Sequence, residues 1–141
     1  MNYPQNIADM LDDFAFLDDW EDRYMHVIDL GKALPGLDPS EKTEAHKVKG
    51  CVSQVWLVSE SDDKPDPVLT FRGDSDAHIV KGLVAIVLTI FSNRSARFIR
   101  DVDAKEIMTK LGLEEHLSPQ RSNGLRAMIG RIKQEAELAL A

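Results

Sequence analysis

The chain has 141 residues, 24 of them acidic and 17 basic, for a net charge of −7, and 43% are apolar. That length suits one domain spanning 1–141, with a core that needs no disulfide or metal staple. The acidic balance argues against a phosphate-backbone binder, and the longest uncharged apolar run, "GLVAIVLTIF" (82–91), is far short of the ~20 residues of a membrane span, so neither nucleic acid nor membrane is an expected partner. The opening "MNYPQNIADMLDDF" carries acids and no basic stretch, unlike a secretory signal. The expectation is a cytoplasmic protein whose single cysteine, Cys51, stays reduced.

Helical periodicity opens the chain, with Ile7, Met10, Leu11 and Phe14 at i, i+3, i+4 and i+7. A second helix is expected from Asp18, where Glu21 completes a capping-box-like pair, and Trp20, Tyr24, Val27 and Ile28 form its inner stripe. Gly31 and Pro35 signal its end, and "LPGLDPSEKTEAH" reads as a polar connector. "VWLVS" (55–59) and "VLTFR" (68–72) are short β-branched runs joined by "ESDDKPDP", which predicts a hairpin. "AHKVK" (45–49) is a candidate third strand leading into the Gly50–Cys51 turn. After "GDSDAH" comes a helix that is apolar nearly all round, from Ile79 to Phe91, the pattern of a central buried helix. Asp103 is placed to cap a short helix ending at Gly112. Ser122 or Asn123 is expected to cap the last helix, with Leu125, Met128, Ile129 and Ile132 facing inward. Together these elements predict an α+β fold, a small antiparallel β-sheet packed against several α-helices.

Four features invite a chemical reading. Cys51 is either a buried structural cysteine or a reactive one. In an extended 47–51 segment Lys47, Lys49 and Cys51 point to one side, and two ammonium groups beside a thiol favour the thiolate. A Cys–His hydrolase needs a histidine brought close, whereas His26, His46, His78 and His116 are scattered and match no cysteine-protease signature. Asp74, Asp76 and His78 suggest a metal, yet residues two apart on a helix diverge, so an aspartate N-cap after Gly73 explains that stretch more simply. In "SPQRSNGLRAMIG" (118–130) no Gly-Lys-Ser/Thr ending marks a phosphate loop. Arg121 there either guides an anionic group or pairs with a surface acid.

The order and spacing of six blocks carry a resemblance. "DWEDRY" (19–24), "LPGL" (34–37), "VKGCVSQVWLV" (48–58), "GDSDAHIVKGL" (73–83), "LGLEEHLSPQRSNGL" (111–125) and "AMIGRI" (127–132) resemble the SufE (and paralogous CsdE) sulfur-acceptor proteins over nearly the whole chain. Gly-Cys-x-Ser-Gln-Val-Trp, here Gly50 to Trp56, is the most specific signature. Val52 departs from it mildly, at a position where the family often has glutamine. The resemblance implies the α+β fold shared with IscU-type scaffolds, and a carrier of sulfane sulfur. A PLP-dependent cysteine desulfurase (SufS/CsdA-like) would supply the sulfur, Cys51 would hold it as a persulfide, and a SufBCD-like scaffold complex would receive it. The PLP belongs to that partner, so no cofactor and no metal are implied for this chain. By the same resemblance Gly50, Ser53, Gln54, Asp74 and Arg121 would support the Cys51 loop. The rivals are an allosteric activator of the desulfurase and an IscU-like scaffold. A scaffold needs several thiolates per cluster, whereas this chain has one and a homodimer, which the sequence leaves open, would have two.

Overall fold

The computed structural model describes residues 3–141. Two helices, α1 (Gln5–Ala15) and α2 (Trp20–Ala33), precede the hairpin of β1 (Val55–Ser61) and β2 (Val68–Ser75). Helix α3 (His78–Phe91), the two-residue β3 (Arg94–Ser95), α4 (Ala96–Asp101), α5 (Ala104–Leu111), α6 (Leu113–His116) and the long α7 (Pro119–Leu140) follow. The sheet is antiparallel with order β1-β2-β3, and its hairpin register sets Val55 opposite Ser75 and Ser61 opposite Leu69. The expected α+β architecture is the one observed.

Helix α3 lies at the centre. Ile79, Val80, Leu83, Val84, Ile86, Val87, Ile90 and Phe91 are all buried, so it meets neighbours on nearly every side. Helix α2 crosses it at two glycines: a Cβ on Gly82 would come within 2.1 Å of the Val27 carbonyl, and one on Gly31 within 2.6 Å of the Gly82 nitrogen. Only missing side chains allow these backbones to touch. Phe14 from α1, Leu57 and Phe71 from the sheet, and Leu125, Met128 and Ile132 from α7 complete one core.

Several boundaries differ from the sequence expectation. The cap of α2 is Asp19, whose carboxylate accepts from the Asp22 N–H at 2.9 Å, rather than Asp18 with Glu21. Gly31 does not end that helix; it sits inside it because of the α3 crossing. Residues 45–49 form no full strand: Lys47 makes a single bridge to Trp56, flanked by Val48 N–H to Val55 O and Leu57 N–H to His46 O. A turn at Lys49–Gly50 ends the pairing, and the third strand of the sheet is Arg94–Ser95. No aspartate caps α3, whose first flanking residue is Ala77. The cap of α7 is Ser118, accepting from the Arg121 N–H, with Pro119 at the first helical position, so Ser122 and Asn123 lie within the helix. Asp103 does cap α5, and Gly112 closes it in the left-handed region at φ 74°.

Candidate functional site

Cys51 sits on the connection between the Lys47 bridge and β1. Gly50 turns the chain there with φ at 95°, a left-handed conformation that a side chain would strain. The turn rests on α7: a Cβ at Gly50 would lie 3.3 Å from Ala127, and Gly124 faces Cys51 directly. Arg131, further along α7, holds the preceding segment by donating to the Lys47 and Ala45 carbonyls, each at 2.8 Å. The cysteine is therefore seated against a helix on one side and anchored to a sheet edge on the other.

The thiol is half-buried, and its S–H donates to the Gly124 carbonyl oxygen at 3.5 Å. Burial pushes the Cys51 thiol up from its ordinary value, and a carbonyl acceptor likewise favours the protonated form. The two flanking lysines do not act as expected. The turn at residues 49–50 breaks the extended geometry that would align them with the thiol, and Lys47 and Lys49 line a different hollow together with Ala127 and Arg131. At rest the Cys51 thiol is half-buried, and both its burial and the Gly124 carbonyl favour the protonated form.

A cavity of about 300 Å³ opens beside it, lined by Cys51, Val52, Ser53, Val80, Leu83, Ser118, Gln120, Arg121, Gly124 and Met128. Ser53 and Arg121, expected near the cysteine, are here. Among the described residues Arg121 forms no ion pair, so the surface-pair reading of its side chain finds no partner. Val52 stands at the rim, 75% exposed. Gln54 is exposed and engaged elsewhere, donating from its backbone to Asp76 at 3.0 Å and accepting the Ser75 hydroxyl at 2.7 Å.

Asp74 does not line the cavity. It is 5% exposed near the end of β2, where it accepts from the Leu37 N–H at 3.0 Å and the Ser75 N–H at 2.8 Å. Lys42 and Lys81 approach its oxygens at 3.3 and 3.5 Å. Burial works to raise its pKa but is outweighed by those N–H donors, then by the lysines, and the carboxyl is held below its ordinary range. Asp74 thus ties the 34–37 connector and α3 to the sheet. Its commitment there, and that of Asp76 to Gln54, leaves neither carboxylate converging on His78, and no group of three potential metal ligands occurs among the described residues.

The sequence reading missed Ser118, Gln120 and Gly124. The Ser-Pro pair was a legible helix start, and a glycine inside a helical pattern signals a close approach. Val80, Leu83 and Met128 looked like core residues only, which they also are.

Comparison with known proteins bears on this arrangement. The family model described as "SufE: Fe-S metabolism associated domain" matches residues 8–136. The chain belongs to the SufE family. An uncharacterized SufE-like protein of Rhizobium meliloti is 59% identical over 133 residues, covering 94% of this chain and 95% of the relative. Another from Rhizobium etli is 56% identical over 137 residues, covering 96% and 93%. The solution structure of a hypothetical protein from Thermus thermophilus aligns with a TM-score of 0.74 over 99% of this chain and 98% of that one; at 20% identity it speaks to the fold alone. SufE membership connects the chain with iron–sulfur metabolism. No helix among the described residues is long and apolar enough to cross a membrane.

Proposed function

We propose that this SufE-family protein is a cytoplasmic sulfur acceptor and carrier for a PLP-dependent cysteine desulfurase. Cys51 takes the terminal sulfur from the desulfurase's persulfide, which stimulates cysteine turnover by clearing that enzyme's cysteine. It then delivers the sulfur to an iron–sulfur scaffold complex of the SufBCD kind. The observation that carries this reading is the chain's one thiol placed at the wall of a cavity rather than inside the core.

The step is a thiol exchange. The Cys51 thiolate attacks the outer sulfur of the donor persulfide, the S–S bond breaks, and the donor cysteine leaves as thiolate. Burial and the Gly124 carbonyl favour the protonated thiol, so forming the attacking thiolate means giving up the proton and with it the Gly124 hydrogen bond. Enclosure suits the product, because an exposed persulfide is open to attack by cellular thiols and oxidants. Val52, exposed at the cavity rim, offers apolar surface to a docking desulfurase. Gly50 and Ser53 shape the loop, Arg121 supplies the local positive charge, and Gln54 and Asp74 act at one remove by fixing the strand ends.

The test is peptide mass spectrometry after incubation with a desulfurase, PLP and cysteine. A gain of one or more sulfur atoms on the peptide containing Cys51, reversed by a reducing thiol, is expected. An unmodified Cys51 alongside active desulfurase would reject the proposal.

A further inference from the structure

The cavity is larger than the transferred sulfur alone requires. One sulfur atom occupies about the space of a water molecule, roughly 30 Å³, whereas the cavity holds about 300 Å³, the lower end of the range for small-molecule sites. Its polar lining is specific as well. Arg121 lies in the first turn of α7, held by the Ser118 cap, and its guanidinium has no carboxylate partner among the described residues. Ser118 and Gln120 stand beside it on the same wall, at the positive end of a 22-residue helix. The protein as a whole carries −7, so its overall field repels anions, and any preference for one here must come from this wall.

We infer that the cavity beside Cys51 is a binding site for small persulfides bearing a carboxylate, with Arg121 receiving the carboxylate and Cys51 the sulfane sulfur. The inference rests on the reading of Cys51 as a sulfane-sulfur carrier and adds a second, protein-independent donor class. In the reaction the Cys51 thiolate attacks the terminal sulfur of R–S–SH, the S–S bond breaks, and R–S⁻ departs. The transferred sulfur keeps its hydrogen, giving Cys51–S–SH, and no oxidant or reductant is consumed. A planar guanidinium pairs with a carboxylate through two parallel hydrogen bonds, a geometry that an ammonium does not reproduce. Arg121 is a binding residue here.

The test compares loading of Cys51 by the persulfide of 3-mercaptopropionate with loading by the persulfide of cysteamine, which replaces the carboxylate with an amine. Intact-protein mass gives both rates. The carboxylated donor is expected to load wild type about tenfold faster, the size of one charge-assisted pair. Arg121→Gln should erase most of that selectivity, and Arg121→Lys should restore part of it. Unchanged selectivity in Arg121→Gln relative to wild type would overturn the inference. If neither small persulfide loads Cys51 while a desulfurase does, the small-donor site falls and the carrier reading stands. If the desulfurase fails too, both fall.

Discussion

Cys51 and Asp74 illustrate how environment sets the behaviour of single residues. The Cys51 thiol is half-buried, donates to Gly124 O and has its pKa raised by burial. Its alkylation by a small neutral reagent should therefore be slower at neutral pH than that of an unfolded peptide, with the midpoint of the pH–rate curve displaced upward. A midpoint at or below that of the peptide would contradict the upward displacement by burial. The linked stability has the same sign. The folded state favours the proton, so this contribution is present below the unfolded thiol's pKa and is lost as pH rises through the folded one. Asp74 has the opposite sign. Its depressed pKa means that its stabilisation is present above the ordinary carboxyl pKa, about 3.9, and disappears as pH falls through the folded value. Asp74→Asn should cost about 2–4 kcal/mol near neutrality, since it weakens two backbone hydrogen bonds and two lysine contacts at a buried site. Urea unfolding at several pH values would check it, with the gap from wild type narrowing toward pH 2.

At the scale of elements, the firmest expectations concern close approaches. A Cβ on Gly82 would come within 2.1 Å of the Val27 carbonyl, so Gly82→Ala must separate α2 from α3. A loss of at least about 3 kcal/mol, as for severe overpacking, is expected from thermal or urea unfolding, although alanine is the better helix former. Ser118→Ala removes the cap of α7 and should cost about 1 kcal/mol. Periodicity made most helices legible in the sequence: the stripe of α1, the all-round apolar α3 and the capped α5 stand as read. The errors came where a tertiary contact competed with a local signal. Gly31 looked like a helix end because its partner Gly82 is 51 positions away. Asp74 looked like a helix cap because Leu37 and Lys42, which fix its role, belong to a distant connector. The start of α7 was set too late because the apolar stripe begins at Leu125, whereas the cap lies at Ser118. The 45–49 segment has strand composition, but Gly50 turns it away after one bridge.

Across the whole molecule, the same connections explain why the site lies where it does. The long α7 runs from the cavity wall at Ser118 and Arg121, past Gly124 under the thiol, to Arg131, which grips the segment leading into the cysteine turn. The sheet edge holds the other end of that turn through Val48 and Val55. Of this site the sequence showed Cys51, Gly50, Ser53 and Arg121 in family-like blocks. It could not show the cavity, because a void is made by elements that meet only in the folded chain. It also misjudged the lysines, because their influence on the thiol depends on a direction that the Gly50 turn decides.

The central claim, that Cys51 itself receives sulfur, is tested most directly by following sulfur-35 from labelled cysteine through a cysteine desulfurase to wild type and Cys51→Ser side by side. Serine nearly preserves volume at a half-buried turn position, so the variant should fold and dock, an interface drawing on many residues besides one sulfur. The account predicts label on wild type that a reducing thiol removes, none on Cys51→Ser, and loss of most of the stimulation of cysteine turnover. Full stimulation by a folded, unlabelled Cys51→Ser variant would contradict it and make the protein an allosteric activator instead.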